Sequence, residues 1–209
     1  MRKWHADGMP RLLRIPSTCA PLHVVQRGHN RCEVFRREYD YLMYLAALQW
    51  ALEHYRCDLH AYTLMTNHVH MLISPRDLDS LPRLFMSLGS RYGGYFNQKY
   101  QRSGSLWSGR YYASLILSDE HLMRCYRYIE LNPIRAGMTD APGEYRWTSY
   151  RCNGEGQLDE LIVPHELYLR LGRDDATRQA NYRDLCAQAL LPQEMTEIRR
   201  ALKRGTPLE

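Results

Sequence analysis

The sequence has few of the features that mark zinc-knuckle, disulfide-rich or membrane proteins. Its six cysteines are scattered, at positions 19, 32, 57, 125, 152 and 186, and no two form a C-x-x-C pair. This spacing suits neither a zinc knuckle nor a compact disulfide framework, so we interpret the cysteines as reduced thiols of a cytoplasmic protein. The longest apolar run, YLMYLAAL, is far too short to span a bilayer. Residues 1–20 are basic but contain no continuous apolar stretch, which argues against a signal peptide.

Lysine and phenylalanine are also scarce, whereas arginine and tyrosine are common. Arginine outnumbers lysine 25 to 3, and tyrosine outnumbers phenylalanine 16 to 3. The planar guanidinium suits phosphate recognition, although a GC-rich genome produces the same bias. The net charge of +5 is uneven: residues 61–115 carry six Lys or Arg against two Asp, and residues 151–209 carry nine against ten acidic residues. Positive charge is therefore concentrated in the first two thirds of the chain.

The apolar periodicity predicts strands and helices in the order β-α-β-β-α-β, followed by one more helix. The predicted strands are residues 21–28, 58–65, 68–74 and 111–117, and the predicted helices are residues 37–55, 74–100 and 120–131. The last helix should end near Asn132, because Pro133 disfavours helix in the residue before it. This order is typical of an α+β fold of the ferredoxin-like, split βαβ type, with one antiparallel sheet and helices on one face.

The chain changes character after Trp147, where Gly154 and Gly156 mark a linker. We predict a main domain of residues 1–150 and a C-terminal helical extension of residues 151–209. Its basic end supplies four cations that either contact nucleic acid or form a solvated helix end: Arg199, Arg200, Lys203 and Arg204.

The segment MTNHVHMLIS places His68 and His70 two residues apart in an apolar run. In a strand both imidazoles project from one face, an arrangement that can hold a cation. An ordinary half-buried strand shows the same pattern more often than not, so the pair alone does not decide. In YRYIELNPIRAG, Tyr128 and Asn132 are four residues apart and would share a helical face. Taken alone, that pair is more typical of a structural helix end.

Four segments together, QRGHNR, NHVH, SGSLWSGRY and YRYIELNPIRAG, resemble the REP-associated tyrosine transposases of the HUH single-tyrosine superfamily. The resemblance extends from about Pro10 to Tyr150. It implies that His68 and His70 bind a divalent metal, Mg²⁺ or Mn²⁺, and that Asn132 completes the site. It implies that Tyr128 is the nucleophile that attacks single-stranded DNA and forms a 5′-phosphotyrosine link. Two neutral imidazoles and an amide would leave most of the metal's charge free to polarise a phosphate oxygen.

Two segments are candidate DNA contacts. The first follows the first strand and supplies Arg27, His29, Asn30 and Arg31; without the resemblance, a solvated turn would be the favoured interpretation. The second is a loop rich in Gly and Ser that supplies Arg102, Trp107, Arg110 and Tyr111. Cations beside an aromatic ring suit a single strand or a flipped base. Trp107 fits equally well as a hydrophobic anchor of its loop. For His60 and Glu130 we favour structural roles over proton transfer.

The leading hypothesis is thus a DNA strand transferase that acts on hairpin-forming single-stranded repeats, as a monomer or a homodimer. The alternative is a domesticated hairpin-binding protein without catalytic activity. A relaxase or replication initiator would need a longer chain. An RNA-binding sheet would expose aromatic residues where this sequence has histidines.

Overall fold

A computed structural model describes residues 20–208, and it contains a sheet of four antiparallel strands in the order β2-β3-β1-β4. The strands are β1 (Leu22–Arg27), β2 (Cys57–Met65), β3 (His68–Pro75) and β4 (Tyr112–Leu115). Thr66 and Asn67 form the predicted two-residue connection between β2 and β3. Residues 1–19, all but one of the residues on which the signal-peptide prediction depends, lie outside the described residues, as does Glu209.

Eight α-helices accompany the sheet within residues 20–208. They are α1 (Glu38–His54), α2 (Ser80–Lys99), α3 (Asp119–Glu130), α4 (Asn132–Arg135), α5 (Tyr150–Asn153), α6 (Glu166–Leu169), α7 (Asp175–Ala187) and α8 (Pro192–Arg204). Ser118 caps α3, because its hydroxyl accepts the His121 amide hydrogen. Of the helices in the described part of the chain, none is long and apolar enough to cross a bilayer.

The first core lies between one face of the sheet and helices α1 and α2. On β3, Val69, Met71 and Ile73 alternate toward this core, where they pack with residues such as Leu48 and Leu88. All five side chains are fully buried.

The second core lies on the opposite face, against α3 and the C-terminal helices. Leu72 of β3 shares this core with Ile129 of α3, Tyr182 of α7 and Ile198 of α8. The predicted α+β class and single antiparallel sheet are confirmed. The positions of the helices differ from the prediction, because α1 and α2 cover one face while α3 covers the other. Alternation along β3 makes both faces partly apolar, so each needs a helical layer.

The chain after residue 150 supplies much of this second core. Eight buried side chains of residues 151–208 belong to it, namely Tyr168, Tyr182, Cys186, Leu190, Ile198, Ala201, Leu202 and Leu208. The amide of Leu208 also donates to the Leu115 carbonyl oxygen (2.8 Å), beside β4. The predicted division of the chain at residue 150 stays a prediction.

Candidate active site

The two histidines of β3 project from the face that carries the second core. His68, His70 and Leu72 alternate with Val69 and Met71, which belong to the first core. His70 is buried and His68 is half-buried. The imidazole centroids are 4.9 Å apart, so both rings border one small volume above the sheet.

His68 is oriented by the tip of its own hairpin. Its Nδ1 lies 2.6 Å from Asn67 Oδ1, and the amide group of Asn67 in turn donates to the Arg31 carbonyl oxygen. Because a carbonyl oxygen only accepts, Nδ1 carries the proton and Nε2 keeps its lone pair. Burial, and then Arg27 opposite on β1, lower the pKa of His68 to about 4. The ring is therefore neutral at pH 7, as a metal ligand must be.

His70 is oriented by a histidine that the sequence patterns did not single out. Its Nδ1 lies 2.9 Å from Nε2 of His23 on β1. Burial, followed by His23 and His68, lowers the pKa of His70 well below its usual value. Burial also lowers the pKa of His23 to about 3. The only sequence signal for His23 is its position in PLHVVQRG, two residues before Val25. Because residues two apart in a strand share a face, His23 lies with Val25 on the face that carries the second core.

Tyr128 lies against these histidines on α3. Its ring centroid is 5.6 Å from that of His23 and 5.9 Å from that of His70, and both contacts are edge to face. The side chain is only 6% exposed. Leu122, Tyr126 and Ile129 of the same helix are buried too, so α3 buries Tyr128 together with the face that packs in the second core.

Two arginines surround Tyr128 on its other sides. Nε of Arg199, on α8, donates to the Tyr128 hydroxyl at 3.3 Å. The guanidinium of Arg135, on α4, lies 4.4 Å from the ring centroid and also donates to the Tyr128 carbonyl oxygen. Burial lowers the pKa of Arg135 to about 10, which leaves it charged at neutral pH. A phenolate or a phosphate at this position would meet two positive charges.

Asn132 occupies a different local structure from the one predicted. Helix α3 ends at Glu130, and Asn132 is the first residue of α4, with Pro133 in the first turn. The amide of Asn132 takes part in neither of the imidazole hydrogen bonds described above. Tyr128 and Asn132 therefore do not sit on one continuous helix, and a role for Asn132 at the metal stays a prediction.

The donor set fits a divalent metal at His68 and His70. Both rings are neutral, and both have Nδ1 in a hydrogen bond. Nε2 of His68 has a free lone pair, and Nε2 of His70 has one when the proton between His70 and His23 is on His70 Nδ1. Within residues 20–208 no group of three or more His, Cys, Asp or Glu side chains could hold a metal. A third protein ligand would have to be of another type, such as the amide of Asn132.

The two candidate DNA segments lie side by side next to His68. We name residues 27–31 the strand loop and residues 101–111 the arginine loop. The backbone amide of Ser108 donates to the Arg27 carbonyl oxygen, and that of Gly28 donates to the Asn67 carbonyl oxygen. The strand loop thus lies between the arginine loop and the hairpin tip, and all three segments form one surface.

The strand loop is tightly fitted and strained. A Cβ added to Gly28 would lie 2.3 Å from the Cys32 carbonyl oxygen, so only glycine fits there. Asn30 and Arg31 both have positive φ, 51° and 58°, a conformation uncommon for arginine. His29, Asn30 and Arg31 are exposed, and Arg27 is half-exposed on the face of His68.

The arginine loop divides into exposed and buried residues. Arg110 is exposed, and Arg102 is half-buried with its guanidinium 5.7 Å from the Phe96 ring. Trp107 is buried, at 4% exposure, in the first core, and Tyr111 packs on Phe85 with ring centroids 4.4 Å apart. This placement favours the interpretation of Trp107 as a hydrophobic anchor, because a buried ring offers no face to a base.

His60 and Glu130 both lie in buried hydrogen-bond networks. His60 donates from Nδ1 to the Val163 carbonyl oxygen (2.7 Å) and accepts from the Ser74 hydroxyl (2.8 Å). Glu130 accepts from Ser149 and from two further groups on α5 and α7. These contacts favour the structural roles expected for both residues.

This combination of fold and site agrees with the comparison with known families. The sequence model described as "Transposase IS200 like" matches residues 18–132, more than half of the chain. The chain therefore belongs to the IS200-like transposase family, a class of DNA-processing enzymes.

Within this family the chain is similar to the REP-associated tyrosine transposases. A protein of Haemophilus influenzae (strain Rd) named as one of them is 26% identical over 131 residues, which cover 57% of this chain and 74% of the relative. The solved structure of a REP-associated tyrosine transposase bound to a REP hairpin has the same fold. Its TM-score is 0.56 at 12% identity, over 80% of this chain and 93% of that one.

Proposed function

We propose that this protein is a metal-dependent single-stranded DNA endonuclease and strand transferase that acts on hairpin-forming repeats through a 5′-phosphotyrosine intermediate. The observation that carries the proposal is the position of Tyr128. Its ring packs edge to face on His23 and His70, and its hydroxyl accepts a hydrogen bond from Arg199. This position, between a candidate metal site and two guanidinium groups, supports attack by Tyr128 on a phosphodiester.

The reaction exchanges one phosphate ester for another. The Tyr128 oxygen forms a bond to phosphorus as the bond from phosphorus to the 3′ oxygen breaks. The hydroxyl proton leaves, and the departing 3′ oxygen takes up a proton to give a free 3′-OH. The 5′ phosphate remains on Tyr128, so the same step in reverse can join it to another 3′-OH without ATP.

His68 and His70 would hold Mg²⁺ or Mn²⁺, with Asn132 as a candidate third ligand. When bound, such an ion supplies Lewis acidity that polarises a phosphate oxygen. Arg199 would stabilise negative charge on the tyrosine oxygen through its hydrogen bond. Arg135 holds the Tyr128 backbone and places a second cation on the ring.

The similarity to a transposase solved with a REP hairpin supports hairpin DNA as the substrate class. The strand loop and the arginine loop supply cations on the surface that includes His68, where a strand would enter the site. Phosphate contacts from Arg27, Arg31 and Arg110 would hold the backbone and contribute a salt-dependent share of the affinity. Trp107 would act indirectly, by anchoring the arginine loop.

The experiment uses synthetic single-stranded hairpins made from repeats that flank the gene, labelled at the 5′ or the 3′ end. They are incubated with protein and Mn²⁺ or Mg²⁺ and resolved on denaturing gels. We expect a protein–DNA adduct that retains the 3′-label and a free product that retains the 5′-label. Tyr128→Phe and His68→Ala should each remove both species.

The alternative function, hairpin binding without cleavage, predicts another outcome. Binding by native gel shift would be tight and independent of metal, with no adduct in any sample. Tyr126→Phe serves as the matched control, because Tyr126 lies two residues from Tyr128 and is fully buried away from solvent. An adduct lost equally in Tyr126→Phe and Tyr128→Phe would point to loss of folding and not of the nucleophile.

A further inference from the structure

We infer that His23 is a positioning residue for the metal site, one that fixes the tautomer of His70 and joins it to Tyr128. The inference rests on the proposed metal site at His68 and His70. It goes beyond that proposal by assigning a role to a histidine on a different strand, 47 residues before His70 in the chain.

The first observation is the hydrogen bond between the two rings. His23 Nε2 and His70 Nδ1 are 2.9 Å apart, and the rings stack with centroids 5.2 Å apart. One of these nitrogens must carry the proton. If it is on His70 Nδ1, then His70 Nε2 has a free lone pair and can bind a metal. If it is on His23 Nε2, then His70 carries its proton on Nε2 and cannot bind one.

The second observation is that a histidine at this buried position lowers the stability of the fold. His23 is 1% exposed, and its Nδ1 has no hydrogen-bond partner among the described residues. A buried polar atom without a partner lowers stability, and an apolar side chain in this core would not carry that cost. Packing therefore does not explain the imidazole, whereas orientation of a ligand does, because ligating histidines commonly donate their other N–H to a second group.

The third observation connects His23 to the nucleophile. Its ring meets the Tyr128 ring edge to face, with centroids 5.6 Å apart. A single side chain thus contacts both His70 and Tyr128. Through it, the orientation of the candidate metal ligand and the position of the tyrosine depend on each other.

The experiment measures Mn²⁺ binding by the DNA-free protein, using titration calorimetry and the electron paramagnetic resonance signal of free Mn²⁺. The variants are His23→Leu, which removes the acceptor, and His23→Gln, whose amide oxygen can reach the position of Nε2. His23→Asn is polar but too short to reach His70. The matched control is His60→Gln, which alters another buried histidine of the same sheet that has its own two hydrogen bonds.

We expect His23→Leu and His23→Asn to weaken Mn²⁺ binding about 10- to 100-fold, the range known for such outer partners. His23→Gln should recover most of the affinity, and His60→Gln should bind as the wild type does. Wild-type Mn²⁺ affinity in His23→Asn or in folded His23→Leu would overturn the inference. His70→Ala separates the two proposals. If His70→Ala and the His23 variants all bind Mn²⁺ normally, the proposed metal site is wrong. If His70→Ala loses Mn²⁺ binding while the His23 variants keep it, only the role of His23 is refuted.

Discussion

At the scale of single residues, the site combines neutral ligands with charged neighbours. Burial keeps His68 and His70 uncharged, while Arg135 and Arg199 place their guanidinium groups beside Tyr128. Attack by tyrosine builds negative charge on the attacked phosphate, and positive groups fixed in place stabilise that charge without reorganisation. The arginine contacts are therefore as much a part of the candidate site as the histidines.

Arg199→Ala tests this view of the tyrosine. A hydrogen bond from a charged donor contributes about 1.5–3 kcal/mol when buried, and we take the lower end because Arg199 is largely exposed. We expect the rate of adduct formation to fall roughly tenfold, with hairpin affinity within about twofold of the wild type. Single-turnover gels measure the rate, and Arg200→Ala on the same helix is the control. Equal rates for Arg199→Ala and the wild type would show that this contact does not assist the reaction.

Local sequence patterns indicate functional residues that lie within one short segment, but they do not indicate contacts between residues far apart in the chain. His68 and His70 were recognised because strand periodicity puts them on one face. His23 lies on another strand, and only the pairing register of β1 with β3 brings it to His70. Arg199 was identified as part of a basic helix end, but nothing local indicates that this end reaches Tyr128.

At the scale of elements, the break after α3 determines where Tyr128 sits. Pro133 has no N–H, so the carbonyl of Ile129 lacks the helical donor four residues later. The Thr63 hydroxyl of β2 lies 2.8 Å from that carbonyl oxygen and replaces the missing donor. Pro133 predicts a helix end here, but the sequence does not show that a hydroxyl from a neighbouring strand supplies the missing hydrogen-bond donor.

Thr63→Val removes this donor while it conserves shape. The Ile129 carbonyl then loses its side-chain donor, which should lower the free energy of unfolding by about 1–3 kcal/mol. Urea denaturation measures the change. Thr196→Val on α8 is the control, since the Thr196 hydroxyl donates to a carbonyl at 2.8 Å in an exposed position. Similar small losses in both variants would contradict a special role for Thr63.

Glu130, at the end of α3, joins this helix to the extension. Its carboxylate accepts from Ser149, Asn153 and Tyr182. Burial raises its pKa to about 7, against 4.5 for an exposed glutamate, and these hydrogen bonds only partly offset the burial. Between those values the folded protein holds a proton that the unfolded chain has released. The protonated carboxyl therefore contributes stability below pH 4.5 that is lost as the pH rises through about 7.

Glu130→Gln tests that linkage. The variant should gain stability relative to the wild type as the pH rises from 4.5 to 7.5, by up to about 3 kcal/mol. Denaturation curves of both proteins at several pH values give the difference in their free energies of unfolding. The contributions of the other titrating groups largely cancel in this difference. A difference that does not vary with pH would show that Glu130 is ionised throughout this range.

At the scale of the whole molecule, the extension is part of the core that positions α3. The α+β class and the single antiparallel sheet followed from the order of strands and helices along the chain. The packing of residues 151–208 did not follow from the sequence. Short amphipathic helices of this kind can pack among themselves or against the sheet domain. Only the tertiary contacts distinguish these two arrangements.

Leu202→Ala tests whether the extension folds together with the rest. Leu202 is buried in the second core, and its truncation should lower the free energy of unfolding by about 2–4 kcal/mol. All four tryptophans precede residue 151, so their fluorescence reports on the predicted main domain. We expect the unfolding transition followed by fluorescence to show this whole loss of free energy. Leu191→Ala, which truncates an exposed side chain, should leave the transition unchanged. A fluorescence transition unaffected by Leu202→Ala would show that residues 151–209 unfold independently.

The most direct test of the central claim is to locate the covalent link by mass spectrometry of the protein–DNA adduct. After nuclease and trypsin digestion, Tyr128 falls in the peptide YIELNPIR and Tyr126 falls in the separate peptide CYR. We predict a nucleotide mass on the tyrosine of YIELNPIR, formed only with Mn²⁺ or Mg²⁺. A nucleotide on any other residue, or cleavage that leaves a 5′ phosphate with no peptide attached, would contradict Tyr128 as the nucleophile.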